Sequence, residues 1–151
     1  MELERKQTTD SDYELWTMIV DARDLIYDIR ERELAEYGIT VRQAGILFIV
    51  DRLGGNAKLS EIARVSNREP NSITTIVKRM ERNGLIKKKR DSQKKNVIRV
   101  SLTEKGEKVL PLTSNRRSLH RIFASLSEEE ITHMKLYFNK LISKALQELN
   151  K

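Results

Sequence analysis

Between Pro70 and Leu102 the chain changes its hydrophobic period, and that change restricts the fold more than any other feature of the sequence. Over 70–83 the apolar side chains are Ile73, Ile76, Val77 and Met80, an i, i+3, i+4, i+7 stripe that gathers them on one face of a helix. Pro70 suits the first turn, where its missing N–H would have no partner in any case. Asn83-Gly84 is a good C-terminal stop. From there the period becomes two. Leu85–Arg90 and Val97–Leu102 read as strands, with Ile98, Val100 and Leu102 on one side and Arg99 and Ser101 on the other. The polar link Asp91-Ser92-Gln93-Lys94-Lys95-Asn96 closes them into a hairpin with a charged tip.

The flanks keep the helical period. Residues 11–37 carry Leu15, Met18, Ile19, Ala22, Leu25, Ile26 and Ile29 as one long stripe, ended by Gly38. Thr40 opens a second helix, with Gln43 placed for a capping box and Ala44, Leu47, Phe48 and Val50 as its inner face. Gly54-Gly55 stops it. A short helix from Leu59 to Val65 turns Ile62 and Ala63 inward. The turn Ser66-Asn67-Arg68 follows, where asparagine tolerates a left-handed conformation. Downstream, Thr103 caps a helix running to Ser125, and Pro111 inside it predicts a kink or a restart. Ser127 and Glu130 form a second capping box ahead of the helix 128–149. That helix carries Ile131, Met134, Phe138, Leu141, Ile142, Ala145, Leu146 and Leu149. With 151 residues, two prolines and six glycines, the expectation is a single mainly α domain over 1–151 with a small β-hairpin. Charged residues reach 34% of the chain, but the apolar ones are periodic, which argues against disorder.

Charge is distributed unevenly. Residues 1–36 hold eleven acidic and five basic side chains, whereas 78–95 hold nine basic and two acidic, matching in eighteen residues the +7 of the whole chain. A basic patch on an otherwise acidic or neutral body points to a polyanion partner at one face.

The order helix, turn, helix, hairpin is a winged helix-turn-helix layout, here over 38–103. In such modules the second helix enters the major groove. Opposite its apolar stripe, helix 70–83 carries Asn71, Thr74, Thr75, Lys78, Arg79 and Arg82, with Ser72 beside them. The short hydroxyls and the amide sit near a helix N-terminus that favours phosphate, and the long cations can meet phosphates or a guanine edge. In the wing, Lys94 and Lys95 at the tip, with Lys88 and Arg90 on the first strand, can lie along phosphates or in the minor groove. Lysine also blunts edge strands, so a purely solubilising role stands beside this one. The stripes of 10–37 and 104–151 are longer than a small reading head can cover. Pairing of two chains through these helices would bury them and set two recognition helices about one DNA turn apart.

The run LSEIARVSNREPNSITTIVKRMERNGLIKKKRDSQKKNVIRVSLTEKG resembles the DNA-binding core of the MarR family of bacterial transcription regulators. The likeness lies in E-I-A, the T-x-I-V-x-R-M-E-x-x-G-L-I block, a wing opening on Asp, and the closing V-S-L-T-E-K-G. It extends through the long first helix and two C-terminal helices to nearly the whole chain. The lack of cysteine, signal peptide and membrane span reads as a soluble cytoplasmic protein, and the resemblance implies a homodimer joined through its N- and C-terminal helices. It further implies a palindromic double-stranded DNA operator, repression, and release by a small, often aromatic or phenolic, anion. It also places Ser72, Thr74 and Thr75 at the base-facing start of the recognition helix. The wing departs from the family's D-x-R-D-x-R. Amides stand at both arginine positions, which removes the usual Asp–Arg pair and minor-groove arginine and leaves the phosphate role to Lys95 with Lys94.

Other chemistries find little footing. Cysteine is absent, so there is no disulfide, thiolate nucleophile or cysteine redox switch. His120 and His133 fall on different helices, and no glycine-rich phosphate loop or metal-spaced cluster occurs, so neither an enzyme nor a bound metal or cofactor is expected. The first twenty residues hold five acidic side chains and no apolar run, unlike a signal peptide, and no stretch is long enough to span a membrane. Tyr13, Trp16, Tyr27 and Tyr37 could line an aromatic ligand pocket or serve as core and interface residues; no ligand site is assigned. The rival reading is a sequence-independent architectural DNA binder. RNA is disfavoured because none of the eight aromatics falls in the basic stretch.

Overall fold

A computed structural model describes residues 10–66 and 68–151, so the expected turn at Asn67 and the start of the acidic N-terminal segment lie outside the described residues. Contacts within the chain group it into two compact units, one ending at Arg116 and the other beginning at Arg117.

The first unit opens with α1 (Ser11–Ala35). Asp10 caps it, its carboxylate accepting the N–H groups of Asp12 and Tyr13 at 3.0 and 3.4 Å. The helix ends two residues before the expected Tyr37, in a turn over Glu36–Gly38. Thr40 then starts α2 (Val41–Arg52) with the expected reciprocal cap: Gln43 N–H donates to Thr40 Oγ1 at 3.1 Å, and Thr40 N–H to Gln43 Oε1 at 3.2 Å. That bond also gives the buried Gln43 side chain a partner. The inner face of α2 is Gln43, Ile46, Leu47 and Val50. Phe48, expected on that face, is instead 42% exposed. It sits at the stripe's margin, and its ring meets the guanidinium carbons of Arg52 and Arg116 at 5.8 and 5.5 Å from the centroid.

β1 (Asn56–Lys58), α3 (Leu59–Val65), α4 (Pro70–Arg82), β2 (Ile86–Arg90) and β3 (Ile98–Leu102) follow. The sheet is three-stranded and antiparallel in the order β1-β3-β2, so the hairpin expected from the sequence gains a third strand. β1 pairs Asn56 with Ser101, Ala57 with Val100 and Lys58 with Arg99. α5 (Glu104–Thr113) closes the unit. Its cap, Thr103, accepts from Gly106 N–H at 3.1 Å and donates through its hydroxyl to the Gly84 carbonyl.

Leu34, Leu47, Ile62, Ile73, Met80 and Val100 are among the side chains of a continuous core drawn from α1, α2, α3, α4 and the sheet. Burial of each such side chain stabilises by roughly 1.5–3 kcal/mol. Among the described residues no buried side-chain polar atom lacks a partner. A largely buried ion pair ties the ends of the unit together. Arg30 binds Glu33 at 2.8 Å and donates to the Thr113 carbonyl at 2.6 Å, at the C-terminal end of α5.

The helix expected over 104–125 breaks. It stops at Thr113 and restarts as α6 (Arg117–Phe123), with Arg116 at φ +47. The restart expected from Pro111 therefore occurs, but at 114–116 rather than at the proline itself. Pro111 has no N–H for the carbonyl of Glu107, one turn back, so the last turn of α5 is held by fewer bonds. The helix closes on one of those that remain, from Ser114 N–H to the Leu110 carbonyl at 3.2 Å. The second unit comprises α6 and α7 (Glu128–Leu149), the latter capped by Ser127 and Glu130 as expected. None of the 22 residues of α7 is buried.

Candidate nucleic-acid interface

α4 is held by its apolar side. Ile73, Val77 and Met80 are buried, and Ile76 is half-buried. This fixes which residues face outward. Asn71, Thr75, Lys78, Arg79 and Arg82 are exposed; Ser72 and Thr74 are half-buried. Thr74 and Thr75 spend their hydroxyl protons on the helix itself, donating to the carbonyls of Pro70 and Asn71 at 2.9 and 3.1 Å. What they can offer a base edge is an acceptor lone pair and a methyl group.

The eleven sequence-selected residues do not all lie on one surface. Ser72, Thr75 and Arg79 also border a cleft of about 500 Å³ whose other walls include Tyr27 and Glu31 of α1 and Thr40, Arg42 and Gln43 at the start of α2. Asn71, Lys78 and Arg82 are not among the residues of this cleft. Glu31 is fixed there, accepting the Val41 N–H at 2.9 Å. Of the four aromatics of the first helix region, Tyr27 alone borders this cleft, with Arg23 stacked 4.8 Å from its ring centroid. Tyr37 packs on the core, and Tyr13 and Trp16 are exposed.

The wing also divides. Pairing places Ile86, Lys88 and Arg90 opposite Leu102, Val100 and Ile98, whereas Lys87 and Lys89 lie opposite Ser101 and Arg99. Strand side chains alternate, so Lys88 shares a face with the buried Ile86 and Val100. Its ammonium lies 3.7 Å from Glu81, at 23% side-chain exposure. Lys88, expected to lie along phosphates, is engaged here with a carboxylate of α4. Lys87, Lys89 and Arg90 are exposed, as are Lys94 and Lys95 at the tip.

The wing's leading aspartate does find an arginine. Arg99 Nε donates to Asp91 Oδ2 at 2.7 Å, and Asp91 Oδ1 accepts from Gln93 and Lys94 N–H at 2.8 and 3.3 Å. These bonds, the Gln93 N–H foremost and then the Arg99 guanidinium, hold the Asp91 carboxyl down at about 2. The pair is not legible within the tip, where the family pattern would put the arginine; the partner stands across the hairpin on β3.

A groove of about 670 Å³ runs between α3, the start of α4 and the wing, bordered by Ser60, Arg64, Arg68, Asn96 and Val97 among others. Arg64 and Arg68 are exposed there and were not selected from the sequence. Their positive charge next to the helix-turn-helix was the available signal. His120 and His133 lie on α6 and α7, and among the described residues no group of three or more His, Cys, Asp or Glu could hold a metal ion. Among the described residues no helix is long and apolar enough to cross a membrane.

Comparison with known proteins agrees with this geometry. Residues 39–97 match the model of the MarR family. The HTH-type transcriptional repressor MdtR of Bacillus subtilis (strain 168) is 29% identical over 100 residues, which are 65% of this chain and 64% of the repressor, so the chain spans just under two thirds of that relative. The organohalide-sensing RdhR-CbdbA1625 transcriptional regulator, in its 2,4-dichlorophenol-bound form, superposes with a TM-score of 0.88 at 28% identity, covering 97% of this chain and 90% of that one. A mutant MarR from E. coli complexed with operator DNA shares the fold, with a TM-score of 0.78 at 16% identity over 84% of this chain and 92% of that one.

Proposed function

We propose that the chain, which resembles the MarR family of transcriptional regulators, is a cytoplasmic repressor that binds a palindromic operator as a homodimer. The observation that carries this reading is the pairing of an outward polar face on α4 with a basic wing beside it. Asn71, Thr74, Thr75, Lys78 and Arg82 address the major groove. Arg90, Lys94 and Lys95 track the flanking backbone, joined by Lys87 and Lys89. Arg64 and Arg68 meet phosphates on the near side of the helix-turn-helix.

Residues 10–37 and 104–151 serve as the dimerisation helices and 38–103 as the reading head. Support comes from the apolar side chains left uncovered in one chain: Leu15, Met18 and Leu25 on α1, and Phe138, Leu141 and Leu146 on α7, each at least 40% exposed. A second copy of the chain is the partner that covers them.

A small aromatic acid or phenol is the effector in this reading, and the cleft between α1, α2 and α4 is its site. The cleft has a drug-sized volume, an aromatic wall in Tyr27 and two cations in Arg42 and Arg79. Because Ser72, Thr75 and Arg79 belong to α4, an occupant would bear directly on the helix that reads DNA.

The test is a specificity ratio. Selected operator should be bound roughly 10³-fold or more tighter than random duplex at physiological salt. A flat response across sequences defeats the repressor reading and favours an architectural DNA binder. Phenols and aromatic acids that leave operator affinity unchanged defeat the effector assignment alone.

A further inference from the structure

We infer that Glu81 is a positioning residue that fixes the wing relative to the recognition helix, an inference that rests on the DNA-binding reading above. Glu81 lies in the last turn of α4 and reaches across to β2. Its Oε2 accepts the main-chain N–H of Lys88 at 3.0 Å, and its Oε1 lies 3.7 Å from the Lys88 ammonium. β2 is an edge strand, so N–H groups turned away from β3 have no neighbouring strand to bond. Glu81 supplies that acceptor from the helix side. One carboxylate therefore grips both the backbone and the side chain of the same strand residue.

Its location gives the bridge its consequence. α4 and β2 are joined by the tight turn Asn83-Gly84-Leu85, where Gly84 N–H donates to the Glu81 carbonyl and Leu85 N–H to the Met80 carbonyl, both at 3.0 Å. Core packing of Met80, Leu85 and Ile86 sets the helix against the strand near the turn and leaves the angle farther along β2 to other contacts. The bridge to Lys88, set two residues into β2, fixes that angle, and the tip lysines sit further out along the same strand direction. A small change of angle at Lys88 is thus magnified at Lys94 and Lys95.

Charge alone predicts the opposite of what positioning predicts. Glu81 stands in a stretch rich in basic residues, on an element that faces phosphates. Removing it deletes a repulsive charge and frees Lys88, so simple electrostatics calls for tighter binding with a steeper salt dependence. If Glu81 positions the wing, its removal weakens binding instead.

The experiment uses the full chain and an operator selected with the wild-type protein. Glu81→Ala should weaken operator binding by roughly tenfold, the loss of one or two wing contacts. It should also erase hydroxyl-radical protection in the flanking minor groove while the protection due to the recognition helix remains. Glu81→Gln keeps an oxygen for the Lys88 N–H and should restore most of the flanking footprint. Lys88→Met keeps the main-chain bond and should leave that footprint in place. In the free protein, the Lys88 amide should exchange with solvent faster in Glu81→Ala than in wild type. Unchanged amide exchange, or binding by Glu81→Ala that is equal or tighter, overturns the inference. A wild-type protein without operator preference overturns the proposed function instead, and the amide exchange then decides the bridge by itself.

Discussion

Asp91 and Arg99 close the neck of the wing: the Arg99 Nε reaches Asp91 Oδ2 at 2.7 Å across the hairpin, while the other oxygen of the same carboxylate collects the Gln93 and Lys94 N–H groups. The aspartate is thus both a turn-former and an ion-pair partner, and its two oxygens divide the tasks. A wing built on lysines at its tip is kept in shape from its base.

The pH dependence follows from the depressed value. Asp91 ionises at about 2 in the folded chain, below the 3.8 of an ordinary aspartate. The folded state therefore binds fewer protons than the unfolded one between these values. The contribution is present in full above 3.8 and is lost as pH falls through about 2. A side-chain carboxyl NMR titration should show a midpoint near 2 for Asp91, with the Gln93 amide shift following the same curve. A midpoint at or above 3.8 would contradict the geometry.

Lys78→Ala and Arg82→Ala should each weaken DNA binding. If a side chain meets phosphate only, the loss is uniform across sequences and the slope of log affinity against log salt falls by about one. If it reads a guanine edge, the loss is about 1–3 kcal/mol and specificity relaxes at a single base pair. Anisotropy titrations at several salt concentrations, on operator and on singly altered operators, separate these outcomes. An unchanged affinity for both variants would remove the outer face of α4 from the interface.

Gly106→Ala should damage the fold itself. A Cβ there would lie 2.1 Å from the Leu85 carbonyl oxygen, a contact only a backbone shift can relieve. Overpacking of this kind costs about 1–3 kcal/mol, occasionally more. Denaturant unfolding should show a lower midpoint, with operator binding reduced because the α5 cap at Thr103 also binds the Gly84 turn at the end of α4. A midpoint equal to wild type would contradict the close approach.

Leu146→Glu tests the second copy. Leu146 is 40% exposed on α7, so a polar side chain there can reach solvent in a monomer. Glutamate keeps helix propensity close to that of leucine. At a dimer interface it would bury an unpaired charge, which costs a few kcal/mol or more. Sedimentation should then show the variant shifted toward monomer, with operator binding falling alongside. An unaltered dimer would move the interface away from this part of α7.

What could be read from the sequence was governed by locality. The capping boxes Thr40–Gln43 and Ser127–Glu130 each span four residues, and both form as read. The stripe of Ile73, Val77 and Met80 is likewise complete within one helix. Phe48 was misassigned because a margin residue of α2 fits the inner spacing about as well as Ile46, and only packing decides between them. β1 was missed because three residues carry too little periodicity, and its partners Arg99 to Ser101 lie far along the chain. Lys88 looked like any other lysine of a basic run until the fold brought Glu81 to it. The place of Ser72, Thr75 and Arg79 beside the cleft depends on where α1 lies and leaves no mark in the local pattern.

The short strand β1 also sets a rule for anyone exchanging reading heads between relatives. Because Asn56–Lys58 lies directly ahead of α3 and pairs with β3, the sheet is complete only when the chain is carried unbroken from Asn56 to Leu102. A graft cut at Leu59 would carry α4 and the hairpin yet strip one side of β3, leaving an open edge able to pair with foreign strands. A chimera joined ahead of Asn56 carries α4 and the complete sheet together, and its buried side chains must still match those that α1 and α2 of the host bring to the core.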